Sequence, residues 1–364
     1  MTRLLAICVV LAIAGALVYL WRGPARDGER APASRSADVA REEVAPAPSP
    51  VAAAASHDAG GRAAAAASAV TAVTVVKGGW GAGPAQFGRK RDPESNPEAP
   101  MAIAVGAGGE VAVLDQVNRR VSRWSGGRLV GTLPFGGDTV QDLALGPGGQ
   151  TVLLDRLADR NVQVWGDDGK LVNEIPLVGR GVREGGGVTG VFADDKGIYV
   201  EREHGALVRV ADARGAADGA REELPGRPTR DGRLLVTAAI RDRGAGEIVV
   251  RAFDRGTLKL AFEQRVLVGG PVLALVMLDS DRRGAIYVAA DTGHEASEPP
   301  FGILDEAIVV ARLAPGGAPR GSISLPAPDT ADETFRRMSV DDDGNIYLMT
   351  PGSEGFAVQR FSFP

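Results

Sequence analysis

The chain has a single cysteine in 364 residues, Cys8, and it lies in the N-terminal apolar run. Everything after it can form neither a disulfide nor a cysteine-ligated zinc site, so stability there must come from packing. An excess of one charge is also missing: 41 Lys and Arg stand against 46 Asp and Glu, a formal net charge of −5. Nucleic acid is therefore a disfavoured partner. No HExxH, GxSxG, P-loop, CxxC or full EF-hand loop occurs. The glycine clusters GAGG and REGGG lack the strand-to-helix setting that a phosphate site needs. These absences exclude chemistry carried by a linear motif, but not a site assembled from separate segments. What is present is glycine, 49 residues, with 23 prolines and 44% hydrophobic residues, a composition suited to a large core of short strands and turns.

The first segment, residues 1–22, reads as a membrane-spanning signal anchor. Residues 4–21 are almost uninterruptedly apolar, and at 1.5 Å per residue they span roughly 27 Å, close to the hydrocarbon thickness of a bilayer. Tyr19 and Trp21 sit where interfacial aromatics belong, and Arg22 follows. A cleaved signal peptide is the competing reading, with small-residue sites at residues 12–16, but cleavage there would leave an apolar tail. A lipoprotein is disfavoured, because only a short apolar stretch precedes Cys8. With so short a head before the span, the bulk of the chain is expected on the periplasmic or extracytoplasmic side. Residues 23–68 turn to Ala, Pro, Ser and scattered charge, too poor in branched and aromatic residues to offset ordering entropy. They read as a disordered tether with a reach of about 35–40 Å.

Residues 69–364 read as a repeat domain, and its clearest unit is the stretch 100–124. Two apolar runs there flank a Gly-rich turn, and a third follows the polar loop that opens at Asp115, giving a three-stranded antiparallel meander. A glycine followed by an apolar strand recurs at Gly109, Gly149, Gly197, Gly232, Gly284 and Gly344. Six copies at intervals of about 40–50 residues indicate a propeller or solenoid. The last copy has only three strands before the chain stops, while residues 70–76 form a β-branched run with no local partner. Placing that orphan strand on the final unit closes a ring and removes an unpaired edge. The fold class is thus all-β, a six-bladed β-propeller whose last blade is completed by an N-terminal strand.

The stretch GAGPAQF at residues 81–87, followed by PMAIAVGAGGEVAVLD and then by Asn118, Arg119, Arg120 and Val121, resembles the NHL repeat, a β-propeller blade family. Residues 140–165 look like a second copy, with Asp155 and then DRNVQVW, and the match decays beyond it. The resemblance implies blades held together by repeat residues: Asp115 and Asp155 ending second strands, Asn118 beside them, and Arg120 and Arg160 placed to pair with such carboxylates. It also implies two functional directions. One is a binding scaffold for an envelope protein, peptide or glycan, without a cofactor and expected as a monomer. The alternative is a metal-dependent lyase or lactonase, as some NHL-like and six-bladed propellers are, with calcium or zinc at the channel mouth.

Strand alternation places the long insertions on one rim, because loops from strand two to three and from strand four to the next blade share a face. That rim collects residues 78–100, 182–189 and 292–304 and the loop holding His204, whereas the other rim carries tight Gly/Asp turns. The expected partner-binding residues are Trp80, Phe87, His204, Asp291, His294, Glu295 and Phe301. His204, Asp291 and His294 are the candidate metal ligands, imidazole and carboxylate being suitable donors. Asp341 and Asp343 also invite a calcium reading, but that turn displays too few oxygens.

Overall fold

In a computed structural model of the chain, the described residues are 70–94, 96–299, 301–328 and 330–363. The expected membrane anchor and tether therefore lie outside the described residues. The described part contains 24 strands in six four-stranded antiparallel sheets. Blade one holds β2 (Ala102–Val105), β3 (Val111–Asp115), β4 (Arg120–Ser125) and β5 (Arg128–Pro134). Blade two holds β6 (Val140–Leu145), β7 (Thr151–Asp155), β8 (Asn161–Trp165) and β9 (Leu171–Pro176). Blade three runs through β10 (Val188–Asp194), β11 (Gly197–Arg202), β12 (Ala206–Ala211) and β13 (Glu223–Leu224). Blade four follows with β14 (Arg227–Pro228), β15 (Leu234–Asp242), β16 (Glu247–Asp254) and β17 (Leu260–Leu267). Blade five comprises β18 (Val272–Ser280), β19 (Ile286–Glu295), β20 (Ile303–Leu313) and β21 (Pro319–Pro326).

Blade six is built from β22 (Met338–Val340), β23 (Ile346–Pro351) and β24 (Gly355–Phe361), and its outer strand is β1 (Ala72–Gly79). The closing strand is the orphan run seen in the sequence, shifted a few residues toward the C-terminus. It pairs antiparallel with β24 from Ala72 opposite Phe361 to Gly79 opposite Gly355. β2 packs against β22, so the first and last blades meet and the ring closes. Residues 80–94 and 96–101 seal this seam. Phe87 is fully buried, stacks on Trp124 at 5.8 Å and meets Phe356 in a tilted contact at 4.6 Å between ring centroids. Arg89 forms a 2.6 Å ion pair with Asp332, whose side chain is buried.

Most core clusters straddle two blades, which is how a twisted sheet buries both faces in a ring. The seam between blades three and four differs. Its buried apolar cluster consists of Tyr199, Leu207, Leu224 and Leu235. Polar ties supplement it: Arg255 reaches Asp194 at 2.7 Å and donates to the Tyr199 hydroxyl at 2.8 Å.

The turns joining first and second strands in blades three, five and six share one device. Oδ1 of Asp194, Asp281 and Asp341 accepts the backbone N–H groups of its own turn, and a tyrosine hydroxyl from the following strand donates to the same carboxylate. Tyr199, Tyr287 and Tyr347 are buried. Burial, followed by the adjacent carboxylate, raises each phenol, to about 12 for Tyr199 and Tyr347. Asp341 is thus occupied by turn hydrogen bonds from Asp343, Asn345 and Tyr347.

Candidate functional site: the central channel

The six inner edges enclose a cavity of about 1110 Å³ lined by residues of every blade. Its middle is crossed by arginines. Arg227 of blade four forms a bidentate pair with Glu201 of blade three at 2.6 and 2.8 Å and donates to the Leu278 carbonyl at 3.0 Å. Burial alone would raise the Glu201 carboxyl. Arg227 at close range, with His204 and the Thr189 hydroxyl, outweighs that and holds it at about 2. From blade six, Arg336 reaches across to the fully buried Asp142 at 2.5 Å and to the Val191 carbonyl at 2.8 Å. Burial keeps the Asp142 carboxyl above its ordinary range despite Arg336. The guanidinium groups of Arg227 and Arg336 both lie on the Phe192 ring, at 4.9 and 4.6 Å.

Near the rim of tight turns, Arg230 spans the channel. It donates to the carbonyls of Val105 in blade one and Val340 in blade six, and lies 3.6 Å from each of Asp279 and Asp342. The channel is narrowed there, while at the loop-rich rim it is bordered by Glu203, His204, Arg243, Thr334 and Phe335.

The wall on the side of blade four is recessed. β14 pairs only Arg227 with Val236 and Pro228 with Leu235, and the chain then turns away through Gly226 and Pro225. A Cβ at Gly226 would lie 2.5 Å from the Val236 carbonyl, so glycine is what lets the chain pass so close. Among the described residues no strand lies on the inner side of β15 beyond Val236. Blade six also has a short inner strand, but there the chain continues along the same line, with Met349 N–H donating to the Arg337 carbonyl. Thr237, Ala238 and Ile240 are half-buried and Ala239 is exposed, whereas Leu235 and Val236 are buried. Leu273, Leu275, Val276 and Leu278 of β18 are half-buried beside them.

The residues expected on the rim divide into three groups. His204 and Asp291 do line the cavity. His204 is 73% exposed in a tight turn with positive φ, its Nδ1 3.6 Å from Glu201, and Asp291 is paired with Arg337. Trp80 and Phe87 pack the ring seam instead, Trp80 donating to the Gly352 and Ser353 carbonyls at 3.1 and 3.2 Å with Arg89 over its ring. His294, Glu295 and Phe301 stand at the far end of the β19–β20 hairpin, where residues 292–295 and 303–304 extend the two strands rather than forming the open loop expected. His294 is exposed and does not line the cavity. Among the described residues no group of three His, Cys, Asp or Glu side chains is placed to hold one metal ion.

No family model matches the chain. No curated protein matches it either. Among solved structures it is similar to the hydrazine synthase of Kuenenia stuttgartiensis, at 14% identity over 68% of this chain and 73% of that one, with a TM-score of 0.46. It is also similar to a virginiamycin B lyase from Staphylococcus aureus, at 12% identity over 73% and 95% with a TM-score of 0.40. The gluconolactonase XC5397 of Xanthomonas campestris aligns at 15% identity over 81% and 90%, with a TM-score of 0.43. At these scores the likenesses carry no argument about activity, and the six-bladed assignment rests on the chain's own sheets.

The repeat residues prove to be clamps. Asp115 is fully buried and accepts from Gly88 N–H, the Asn118 amide and Arg120 Nε at 2.9, 2.8 and 3.0 Å. Arg120 also donates to the carbonyls of Gly83 and Gln86, fastening the first rim loop to blade one. Blade two departs from the expected pairing. Asp155 accepts from Thr139, Leu157 and Ala158, while Arg160 turns to the Leu157 carbonyl at 3.3 Å. Among the described residues no long loop lies over Asp155 as residues 81–88 lie over Asp115, so its carboxylate serves its own turn and the Thr139 hydroxyl.

Proposed function

We propose that the protein is a binding propeller that takes its ligand into the central channel from the loop-rich rim, and that residues 4–21 hold it at a membrane. The observation that carries this reading is the form of the cavity, large enough for an organic ligand, polar along arginine crossings and apolar along blades four and five. The buried charges are already committed: Glu201 to Arg227, Asp142 to Arg336. Such pairs stiffen a wall and orient a ligand's polar groups without being consumed by it. The lyase or lactonase reading retains His204 and Asp291 on the wall, but an ion there would have to displace Arg337 from Asp291 and lacks His294.

The test is thermal unfolding of the full chain against peptide and oligosaccharide collections, and against EDTA, calcium and zinc. A stabilising organic ligand whose effect is lost in Thr334→Trp, which narrows the rim from blade six, supports channel binding. A shift with calcium or zinc that disappears in His204→Ala would favour the metal-dependent reading instead.

A further inference from the structure

The recess in blade four has the dimensions of the strand that is missing from it. Elsewhere around the ring the innermost position is occupied along the channel, but over residues 237–242 no strand of the described residues takes it, retracting the wall by one strand spacing, about 4.8 Å. In an antiparallel sheet alternate residues direct both N–H and C=O to the same neighbour, so half the backbone groups of this stretch of β15 point into the recess. The flanks are apolar and small: Ala238, Ala239, Ala274 and Leu275 line the cavity, leaving room for side chains from an added strand. At the rim end stands Arg243, exposed, its guanidinium bound to the carbonyls of Val272 and Leu273 at 3.3 and 2.7 Å. Among the described residues no carboxylate pairs with it.

We propose that blade four is completed by an extended peptide segment of a partner, which adds as its inner strand along β15, apolar in alternate positions and carrying an acidic side chain opposite Arg243. This deepens the channel-binding reading and rests on it. Main-chain hydrogen bonds to a preformed edge supply affinity, and alternate side chains supply selectivity. Charge complementarity at Arg243 sets the orientation, because the acid must lie at the rim where the guanidinium is exposed. A saccharide or rigid small molecule would satisfy the polar crossings but would leave the strand edge unused.

The probe is a fluorescein-labelled, C-amidated hexapeptide, Glu-Val-Thr-Val-Thr-Val, titrated against the full chain by fluorescence anisotropy. Saturable binding with a Kd of about 10–100 µM is expected, since a short flexible peptide loses ordering entropy on docking. N-methylation of alternate amides should weaken binding about tenfold or more in one of the two registers while leaving the side chains unchanged. Ala239→Trp, at an exposed position within the recess, should abolish binding with the melting curve retained. Arg243→Glu should weaken the probe and strengthen its counterpart beginning with Lys. Equal binding of both N-methylated forms, or binding that survives Ala239→Trp but is lost in Thr334→Trp, would overturn strand addition while leaving channel binding intact. No saturation by about 1 mM overturns the proposal, and if no compound of any class stabilises the chain, the channel-binding reading falls with it.

Discussion

Replacing Gly344 by alanine tests how the blades interlock. Gly344 has φ of +87°, and a Cβ there would lie 2.3 Å from the Tyr287 hydroxyl of blade five. The hydroxyl is held in place by its 3.0 Å bond to Asp281 and is buried, so it cannot withdraw without breaking that bond. The left-handed backbone contributes about 1–2 kcal/mol of destabilisation, and displacing a buried hydrogen-bonded hydroxyl adds about 1–3 kcal/mol. Gly108 is the control: φ is +73° and nothing lies within 4 Å of its Cβ position, so Gly108→Ala shows the backbone cost alone. At roughly 2 °C per kcal/mol for a domain of this size, Gly344→Ala should lower Tm by about 4–10 °C and Gly108→Ala by about 2–4 °C. Adding Tyr287→Phe should recover part of the Gly344→Ala loss, a coupling read by a double-mutant cycle in calorimetry. Equal losses in the two glycine variants, or no coupling to Tyr287, would refute the turn-to-turn packing.

Three further outcomes follow from the same structure. The Glu201 carboxyl is held at about 2 in the folded chain against about 4.5 unfolded, so the folded state binds fewer protons and stability is lost as pH falls from about 4.5 toward 2. Denaturant titrations should lose on the order of 3 kcal/mol over that window, and Glu201→Gln should remove this part of the acid slope. Deleting residues 72–79 exposes the edge of β24 and removes the buried Val76, so the truncated chain should self-associate or melt well below the parent; sedimentation showing an equally stable monomer would contradict ring closure. Hydrogen exchange should open the seam between blades three and four first, at β12 and β13, because its apolar cluster is small; uniform protection around the ring would count against that ranking.

Ring closure was legible in the sequence because a three-stranded last copy and an orphan β-branched run each lack a partner that the other supplies. The rim assignment followed from strand alternation alone, and two of its residues, His204 and Asp291, line the channel. The ligand trio was not legible, because whether residues 292–304 form a loop or prolong a hairpin depends on cross-strand pairing such as Thr292 with Ala307. The arginine crossings were hidden for another reason: Arg336 and Asp142 are 194 residues apart, and each stands in a stretch that reads as ordinary strand or loop. The recess did leave a trace. Where other blades begin with an apolar run, blade four is entered through Pro225, Gly226, Arg227 and Pro228, and two prolines flanking a glycine argue against a full strand.

The most direct measurement is residue-resolved amide exchange of the full chain with and without the acidic hexapeptide. Strand addition predicts new protection at alternate amides within residues 237–242, with their neighbours already protected by pairing to β16 and unchanged. Protection confined to the inner strands of blades one and two, or none in β15, would contradict it.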